Sequence, residues 1–453
     1  MRSKKGIDMT SGPIVGPLIR FILPMIGGSI FQQLYNTVDF LYVGNFLDRT
    51  AAAAVGASST LITITIGLFS GISVGTSVVA SHAIGAKDTE RAEKALHSSV
   101  TFGLIGGILI ALLGILFAPA ILTLLRTPAE VMPQAVTYIR IYLVSVPMLV
   151  FYNMVSGGMR AYGDSRTPFI VLVVCGFLNV VMDWLLIVVI PLGVAGVSIA
   201  TMVTQSFSAV LVAYFASRPD CPIRLSRRQL GVDGEILRSV LRIGLPAGIQ
   251  TIIITFSNVM VQYYINAFGE TAVAAFATYY KVENFIYLPI MAFGQASTTF
   301  AGQNAGAGQY RRVRRGTLIT VGIGAAVVLC IELAILSAPH TVFGWFMKDA
   351  DVVTAAVSLA LVSFPFYWIY PILEIFGGAV RGMGHAIPSM CIIIGNLCVV
   401  RVALLAIFSA TIHTLPSLAA VYPITWATAS VCFLIYFAFV MKKAIAEETA
   451  AAN

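Results

Sequence analysis

The sequence predicts an all-α membrane protein in which twelve transmembrane helices form two pseudo-symmetric six-helix lobes. Three observations predict this fold class: an apolar composition, twelve long apolar runs, and short motifs that recur in the second half of the chain. Of the 453 residues, 58% are hydrophobic and 11% are charged, and the mean hydropathy is +0.90. Soluble domains average about 25% charged residues. The composition therefore excludes a soluble enzyme, a disordered chain and a nucleic-acid-binding protein.

Twelve segments are apolar enough, and long enough, to cross a bilayer, which takes about 20 residues. In chain order they are 18–43, 52–80, 96–119, 135–158, 168–190, 194–216, 240–267, 272–301, 316–338, 353–378, 387–410 and 417–441. The polar linker 217–239 separates the sixth segment from the seventh. It predicts an N-lobe at 1–216 and a C-lobe at 240–453.

The distribution of basic residues predicts the orientation of the chain. If the N-terminus is cytoplasmic, most Lys and Arg residues between the spans face the cytoplasm, and the exceptions are Arg49, Arg126, Arg140 and Lys348. This bias follows the positive-inside rule. An even number of spans then places both termini in the cytoplasm. We expect a multi-pass protein of the cytoplasmic (inner) membrane, and we attribute its net charge of +8 to topology.

The two halves of the chain share motifs in the same order. Pro24 and Pro246 lie in the similar contexts RFILP and RIGLP, and the same offset of 222 residues relates Asn36 to Asn258. GGMRAYGDSRTP follows the fourth span, and GGAVRGMGHAIP follows the tenth. Because each half has an even number of spans, the copies share one orientation, as in transporters built from parallel repeats with a substrate site between the lobes. No P-loop motif is present, so ATP hydrolysis is not indicated.

These residues resemble the multidrug and toxic compound extrusion (MATE) transporters, on the bacterial side of that family. The resemblance spans nearly the whole chain and is carried by QQLYNTVDFLYVGNF, NVVMDWLLI followed by GVAGVSIAT, and FGQASTTFAGQNAGAGQYRRVRRG. It implies two six-helix lobes, a monomer, and antiport in which H⁺ or Na⁺ enters while an organic solute leaves.

Polar residues in three N-lobe spans predict a buried cation site. Asn36 and Asp39 share one helix face with Gln32, and Asn179 and Asp183 are four residues apart in the fifth span. Such faces avoid lipid because intramembrane charges are costly. Thr201, Gln205 and Ser208 form a third polar face in the sixth span.

Oxygen-only groups of this kind suit a proton or a small hard cation. The family resemblance implies an N-lobe cation site at Asp39, Asn179, Asp183 and Thr201, which would be metal ligands only if Na⁺ is the coupling ion. The alternative is a hydrogen-bonded polar core that only joins the helices. Pro24 removes a backbone hydrogen bond from the first span and predicts a hinge there.

The C-lobe spans combine aromatic rings with carboxylates, which suits amphipathic organic cations. Lys281 and Arg401 lie in the same half, so they could neutralise the carboxylates as structural ion pairs or could bind anionic or zwitterionic solutes. Glu332 stands alone in the ninth span, and we interpret it as structural or snorkelling. The residues predicted to contact substrate are Tyr280, Lys281, Glu283, Asn284, Tyr287, Tyr370, Glu374 and Arg401.

The predicted function is export of organic, cationic or amphipathic compounds by alternating access, coupled to H⁺ or Na⁺. We expect no enzymatic activity and no cofactor. The expected partners are a small organic substrate and the lipid bilayer, without nucleic acid. Two alternatives remain open. A flippase for lipid-linked or oligosaccharide precursors would need basic residues in the N-lobe to bind pyrophosphate, and a non-transporting receptor or scaffold would not need buried carboxylates.

Overall fold

The computed structural model describes residues 6–452, and most of these residues lie in helices. The short helix Pro339–Gly344 connects two of the long helices. The twelve long helices are α1 (Val15–Phe46), α2 (Arg49–Gly85), α3 (Thr89–Leu124), α4 (Met132–Ala161), α5 (Arg166–Val189), α6 (Val194–Ala216), α7 (Gly234–Asn266), α8 (Glu270–Gly306), α9 (Tyr310–Ser337), α10 (Ala350–Gly382), α11 (Ala386–Thr411) and α12 (Leu415–Ala452).

Eleven of these helices are long and apolar enough to cross a membrane by length and composition. The remaining one is α8, whose 37 residues exceed the length needed for a span. It includes the predicted span 272–301 but also carries polar residues, among them Lys281 and Glu283. The predicted all-helical membrane fold is confirmed.

Three long helices depart from regular α geometry over part of their length. Wider π turns occupy Trp184–Val189 in α5 and Gly395–Val400 in α11, the corresponding helix of the second half. A 3-10 segment, Phe364–Ile369, interrupts α10. Such irregular turns are frequent at functional sites because they change which side chains share a face.

The helices pack into two compact units. The first holds residues 6–8 and 23–248, and the second holds residues 9–22 and 249–452. The chain therefore passes from one unit to the other within α1 and again within α7. Pro24 and Pro246 lie within two residues of these crossing points, and both helices continue through their prolines. The lobe boundaries drawn at the linker 217–239 stay a prediction.

Glycines allow helix α2 to cross the first part of α7 with backbone in contact with backbone. A Cβ on Gly71 would lie 2.1 Å from the nitrogen of Gly248, and one on Gly75 would lie 2.3 Å from the oxygen of Val240. A Cβ on Gly244 would meet the Cα of Ile72 at 2.6 Å. The four-residue glycine spacing on both helices is the small-residue pattern that permits close packing in membranes.

The repeated motifs form equivalent helix crossings in the two units. In the first unit, a Cβ on Gly157 of α4 would lie 2.6 Å from the Oγ of Ser73 in α2. In the second, a Cβ on Gly378 of α10 would lie 2.3 Å from the oxygen of Gly294 in α8. The glycine pairs after the fourth and tenth spans thus perform the same packing role, which explains why they recur in the sequence.

The polar linker is fixed to the first turns of α3. The Nε2 atom of His97 accepts a hydrogen bond from the amide of Ser226 at 3.0 Å, and the Ser98 hydroxyl accepts one from the amide of Asp233 at 3.0 Å. In the second unit, the segment before α1 is held in a similar way. The Asn304 amide donates to the oxygen of Met9 at 3.1 Å, as does Nε of Arg312 at 3.1 Å.

Candidate functional site

Helices α1 and α5 pack along each other in a fixed register. Phe169 of α5 contacts the glycines at 27 and 28 of α1, where a Cβ on Gly28 would lie 3.5 Å from its ring. Two turns further on, a Cβ on Gly176 would lie 3.0 Å from the ring of Tyr35 and 2.6 Å from that of Phe31. Asp39 follows Tyr35 by one turn of α1, and Asp183 follows Gly176 by two turns of α5. The two acidic residues therefore reach the same level.

Asp39 and Asp183 are brought together by this register. Their carboxyl groups lie close enough to interact electrostatically with each other. Asp183 is fully buried, whereas Asp39 is half-buried. Among the described residues, no N–H or O–H group donates to Oδ1 of Asp39 or to either carboxyl oxygen of Asp183. Two ionised carboxylates this close repel each other and can only accept hydrogen bonds, so sharing one proton stabilises the pair.

Tyrosine side chains surround the acidic pair, and the sequence interpretation missed those of α4. Tyr138 lies near both carboxyl groups, and Tyr35 lies near Asp39. Tyr138 and Tyr142 are buried, and their rings stack with centroids 6.2 Å apart. The signal in the sequence was their four-residue spacing within the apolar fourth span. These rings exclude lipid from the acids while leaving hydroxyl groups nearby.

The other predicted N-lobe residues are placed differently. Asn179 is buried one turn before Asp183 on α5. The hydroxyl of Thr201 is hydrogen-bonded within its own helix, donating to the oxygen of Val197 at 3.1 Å. Gln205 is half-buried, and Asn36 is exposed. Thus the acidic pair is assembled by direct contact, while the cation-binding role of the four surrounding residues stays a prediction.

In the second unit, Glu283 of α8 is the centre of an aromatic network. The Tyr367 hydroxyl donates to Oε1 of Glu283 at 2.8 Å. The predicted residues Tyr280, Tyr287 and Tyr370 join the same network: the hydroxyls of Tyr280 and Tyr422 are 2.7 Å apart, and the rings of Tyr287 and Tyr370 are 5.9 Å apart. The sequence interpretation missed the contribution of α12, from Tyr422 and from Trp426, whose ring lies 4.5 Å from that of Tyr367.

Of the two predicted C-lobe cations, Arg401 approaches this network. Its guanidinium lies 4.9 Å from the ring centre of Tyr422 and is close enough to Glu283 for electrostatic attraction. Arg401 is buried, and its Nε has no hydrogen-bond acceptor among the described residues. Lys281 is exposed, and Asn284 is half-buried. Arg401 therefore attracts Glu283 across an aromatic cluster, but their side chains form no ion pair among the described residues.

Glu374 is bound by Arg381 and not by Lys281 or Arg401, the two cations that the sequence suggested. Nη2 of Arg381, two turns further along α10, lies 2.8 Å from Oε1 of Glu374. Both side chains are about one-tenth exposed, and Arg381 also reaches the hydroxyl of Ser389. Sequence reasoning assigned Arg381 to the cytoplasmic topology signal. Glu374 is consequently part of an ion pair within unit 2.

Glu332 of α9 is buried, with 1% of its surface exposed, so it does not snorkel. Its carboxyl group contacts the backbone N–H of Trp368, which lies in the 3-10 segment of α10. Its Oε2 atom has no donor among the described residues. Glu332 therefore supports the segment that carries Tyr367.

A membrane protein made of two helical repeats, with acidic groups buried between its helices, has the features of a secondary transporter. The MatE family model matches the chain twice, at residues 24–185 and 246–407, which together make up more than half of its length. The chain belongs to this family of transporters. The two matches differ by the offset that relates Pro24 to Pro246, so the family model independently supports the internal repeat.

The chain is similar to named bacterial proteins along most of its length. It is 27% identical over 435 residues to the probable multidrug resistance protein YoeA of Bacillus subtilis (strain 168), covering 93% of each chain. It is 22% identical over 404 residues to the multidrug export protein MepA of Staphylococcus aureus (strain MSSA476), covering 88% of this chain and 89% of that protein.

A solved structure has the same fold. It is described as the outward-facing conformation of a multidrug resistance MATE family transporter of the MOP superfamily. It superimposes with a TM-score of 0.92 at 23% identity and covers 98% of this chain and 99% of the solved one. At this level of identity the likeness shows the fold alone.

Proposed function

We propose that this protein is a proton-coupled antiporter that exports organic compounds across the cytoplasmic membrane, with Asp39 and Asp183 as the proton-carrying pair. The observation that carries the proposal is the proximity of their carboxyl groups, because no described residue donates a hydrogen bond to Oδ1 of Asp39 or to either carboxyl oxygen of Asp183. A pair of this kind holds one proton, and releasing it leaves two negative charges side by side.

The proton and the substrate must favour different conformations for transport to be coupled. Protonation allows α1 and α5 to approach at Asp39 and Asp183. Loss of the proton makes the two acids repel each other, which favours separation of the same helices. Because α1 contains Pro24 where it passes from one unit to the other, movement of its acidic end has a hinge available. One charge crossing 100 mV of membrane potential supplies about 2.3 kcal/mol.

The substrates we propose are cationic or amphipathic organic compounds, bound near the aromatic network of unit 2. Glu283, with the tyrosine rings around it, offers charge and π surfaces to such compounds. Glu374 is less suited to this role because Arg381 already binds it. The names of the related proteins, which describe multidrug resistance and multidrug export, agree with this class of substrate.

Reconstitution in proteoliposomes tests the proposal. A fluorescent organic cation is loaded, and its movement is followed under an imposed proton gradient or an imposed Na⁺ gradient of equal size. The proposal predicts transport driven by the proton gradient alone. Transport driven by Na⁺ alone would show that the oxygen-only site carries a metal ion, and an absence of transport under both gradients would contradict antiport.

A further inference from the structure

A groove in unit 2 lies between α9 and α12, away from the aromatic network around Glu283. It encloses about 530 Å³, which is within the range of ligand pockets of roughly 300–1,000 Å³. Its walls are mostly apolar and are formed by Leu318, Phe376, Leu434, Phe437, Met441 and Ile445. The positions on α12 are separated by three or four residues, so they form a continuous stripe along one helix face.

The part of this stripe that precedes Lys442 fits within one leaflet of a bilayer. From Leu434 to Met441, α12 rises about 10 Å, and one leaflet of hydrocarbon is about 15 Å thick. Leu318 and Leu434 are 50% and 43% exposed, so the groove is open along its side. The part of an acyl chain that lies nearest the headgroup fits an apolar channel of this length.

Two cationic side chains line the same groove at one end. Arg314 is in the first turns of α9, and Lys442 lies on α12 directly after Met441. Both are exposed, and neither forms a hydrogen bond or ion pair with another residue of the described chain. By the distribution of basic residues along the chain, this end of the groove faces the cytoplasm.

Two neighbouring basic residues, Arg311 and Arg312, are bound to other parts of the chain. The amide of Arg311 donates to Oε2 of Glu448, and its guanidinium donates to the Thr449 hydroxyl, both at 3.0 Å. The guanidinium of Arg312 binds carbonyl oxygens of the segment before α1, including that of Gly12 at 2.9 Å. Arg314 is thus left available to a ligand, and the carboxylate of Glu448 is directed to Arg311.

We infer that this groove binds one anionic phospholipid of the cytoplasmic leaflet. Its phosphate lies between Arg314 and Lys442, and one acyl chain follows the apolar stripe of α12. The occupant is identified by charge complementarity, because two unpaired cations next to an apolar channel match an anionic headgroup joined to a chain. Anionic lipids are attracted to basic groups at this surface of the membrane. The inference does not depend on the proposed transport function.

Lipid titration followed by native mass spectrometry tests the inference, with phosphatidylglycerol as the probe. Two comparison ligands are zwitterionic phosphatidylcholine, which has the chains without the net charge, and glycerol 3-phosphate, which has the charge without the chains. The wild-type protein is expected to bind one phosphatidylglycerol in preference to both. Equal binding of phosphatidylcholine, or of glycerol 3-phosphate, would overturn the inference.

Two variants separate the headgroup site from the chain site. Arg314→Gln combined with Lys442→Gln should weaken phosphatidylglycerol binding roughly twentyfold, since each basic group near an anionic lipid contributes several-fold. Its control removes two exposed cations from the linker, Arg227→Gln with Arg228→Gln, and should leave binding unchanged. An equal loss in the control would show that only total charge matters and would overturn the specific site.

The chain site is tested without changing charge. Ala438 lines the groove and is exposed, so Ala438→Trp fills the channel without entering the core. Ile435 is 66% exposed and does not line the groove, which makes Ile435→Trp the matched control on the same helix. Loss of phosphatidylglycerol in the first variant and retention in the second are expected. If both tryptophan variants still bound phosphatidylglycerol, the inference would be contradicted. This result would stand even if the variant with Arg314→Gln and Lys442→Gln did not fold.

Discussion

Gly176 of α5 faces Tyr35 of α1 at a distance that leaves no room for a larger side chain. A Cβ on Gly176 would lie 3.0 Å from the Tyr35 ring and 2.6 Å from the ring of Phe31. This close approach sets the register between α1 and α5. The same register brings Asp39 close to Asp183, further along the two helices. The position of the acidic pair therefore depends on a glycine that carries no charge.

Enlarging Gly176 should uncouple transport without altering an ionisable group. Gly176→Val is expected to push α1 away from α5, separate the carboxyl groups and reduce proton-driven efflux at least tenfold. Gly28→Ala is the control, because its Cβ would meet Phe169 at an ordinary 3.5 Å. Efflux from proteoliposomes measures both. Normal coupling in Gly176→Val would show that the register does not determine the contact between the acids.

The crossing of α2 and α7 should be intolerant of side chains. Gly244→Leu places atoms where the backbone of Ile72 already lies, and overpacking of this kind costs about 1–3 kcal/mol or more. We expect a lower thermal midpoint and poor recovery of monodisperse protein. Gly322→Leu on α9 is the control, since nothing lies within 4 Å of its added Cβ. Equal stability of the two variants would contradict the tight crossing.

The Glu374–Arg381 pair should behave as a buried ion pair. Removal of one partner leaves an uncompensated charge, at a cost of about 3–5 kcal/mol. Glu374→Gln and Arg381→Gln should each lower the thermal midpoint, and the double variant should recover much of the loss. Additive losses in the double variant would show that the 2.8 Å contact contributes no coupling energy.

The hydrogen bond from Tyr367 to Glu283 should affect substrate recognition. Tyr367→Phe keeps the ring but removes the donor to Oε1, and we expect a several-fold higher KM for an organic cation. Tyr279→Phe is the matched control: its hydroxyl contacts that of Ser363 at 2.8 Å within the same cluster. If both variants shift KM equally, the change reflects packing of the aromatic network and the role given to Glu283 is wrong.

Much of the fold could be predicted because hydrocarbon imposes a simple length and polarity requirement on each helix. Each predicted span lies within or largely overlaps one long helix. Local backbone changes could not be predicted in this way. The π turn after Asp183 and the 3-10 segment around Tyr367 cannot be recognised from the pattern of apolar residues. When the helix register shifts by one residue there, one apolar side chain takes the place of another, and the pattern looks the same.

The candidate site was predictable only where polar residues share one helix face. The spacing within α1 and α5 indicated Asp39 and Asp183, and the structure places them in contact. The partner of Glu374 was missed because Arg381 lies at the end of a span, where a basic residue also satisfies the topology rule. Tyr138 was missed because tyrosine in an apolar run has no distinctive spacing relative to acids on other helices.

The most direct test of the central claim is the movement of protons driven by substrate. Proteoliposomes in weak buffer, with a pH-sensitive dye inside, receive an organic cation gradient and no imposed pH gradient. We predict proton movement opposite to the substrate in wild-type protein, and its loss in Asp39→Asn and Asp183→Asn but not in Asp220→Asn, which changes an exposed linker acid. Undiminished proton movement in either variant of the pair would contradict the account.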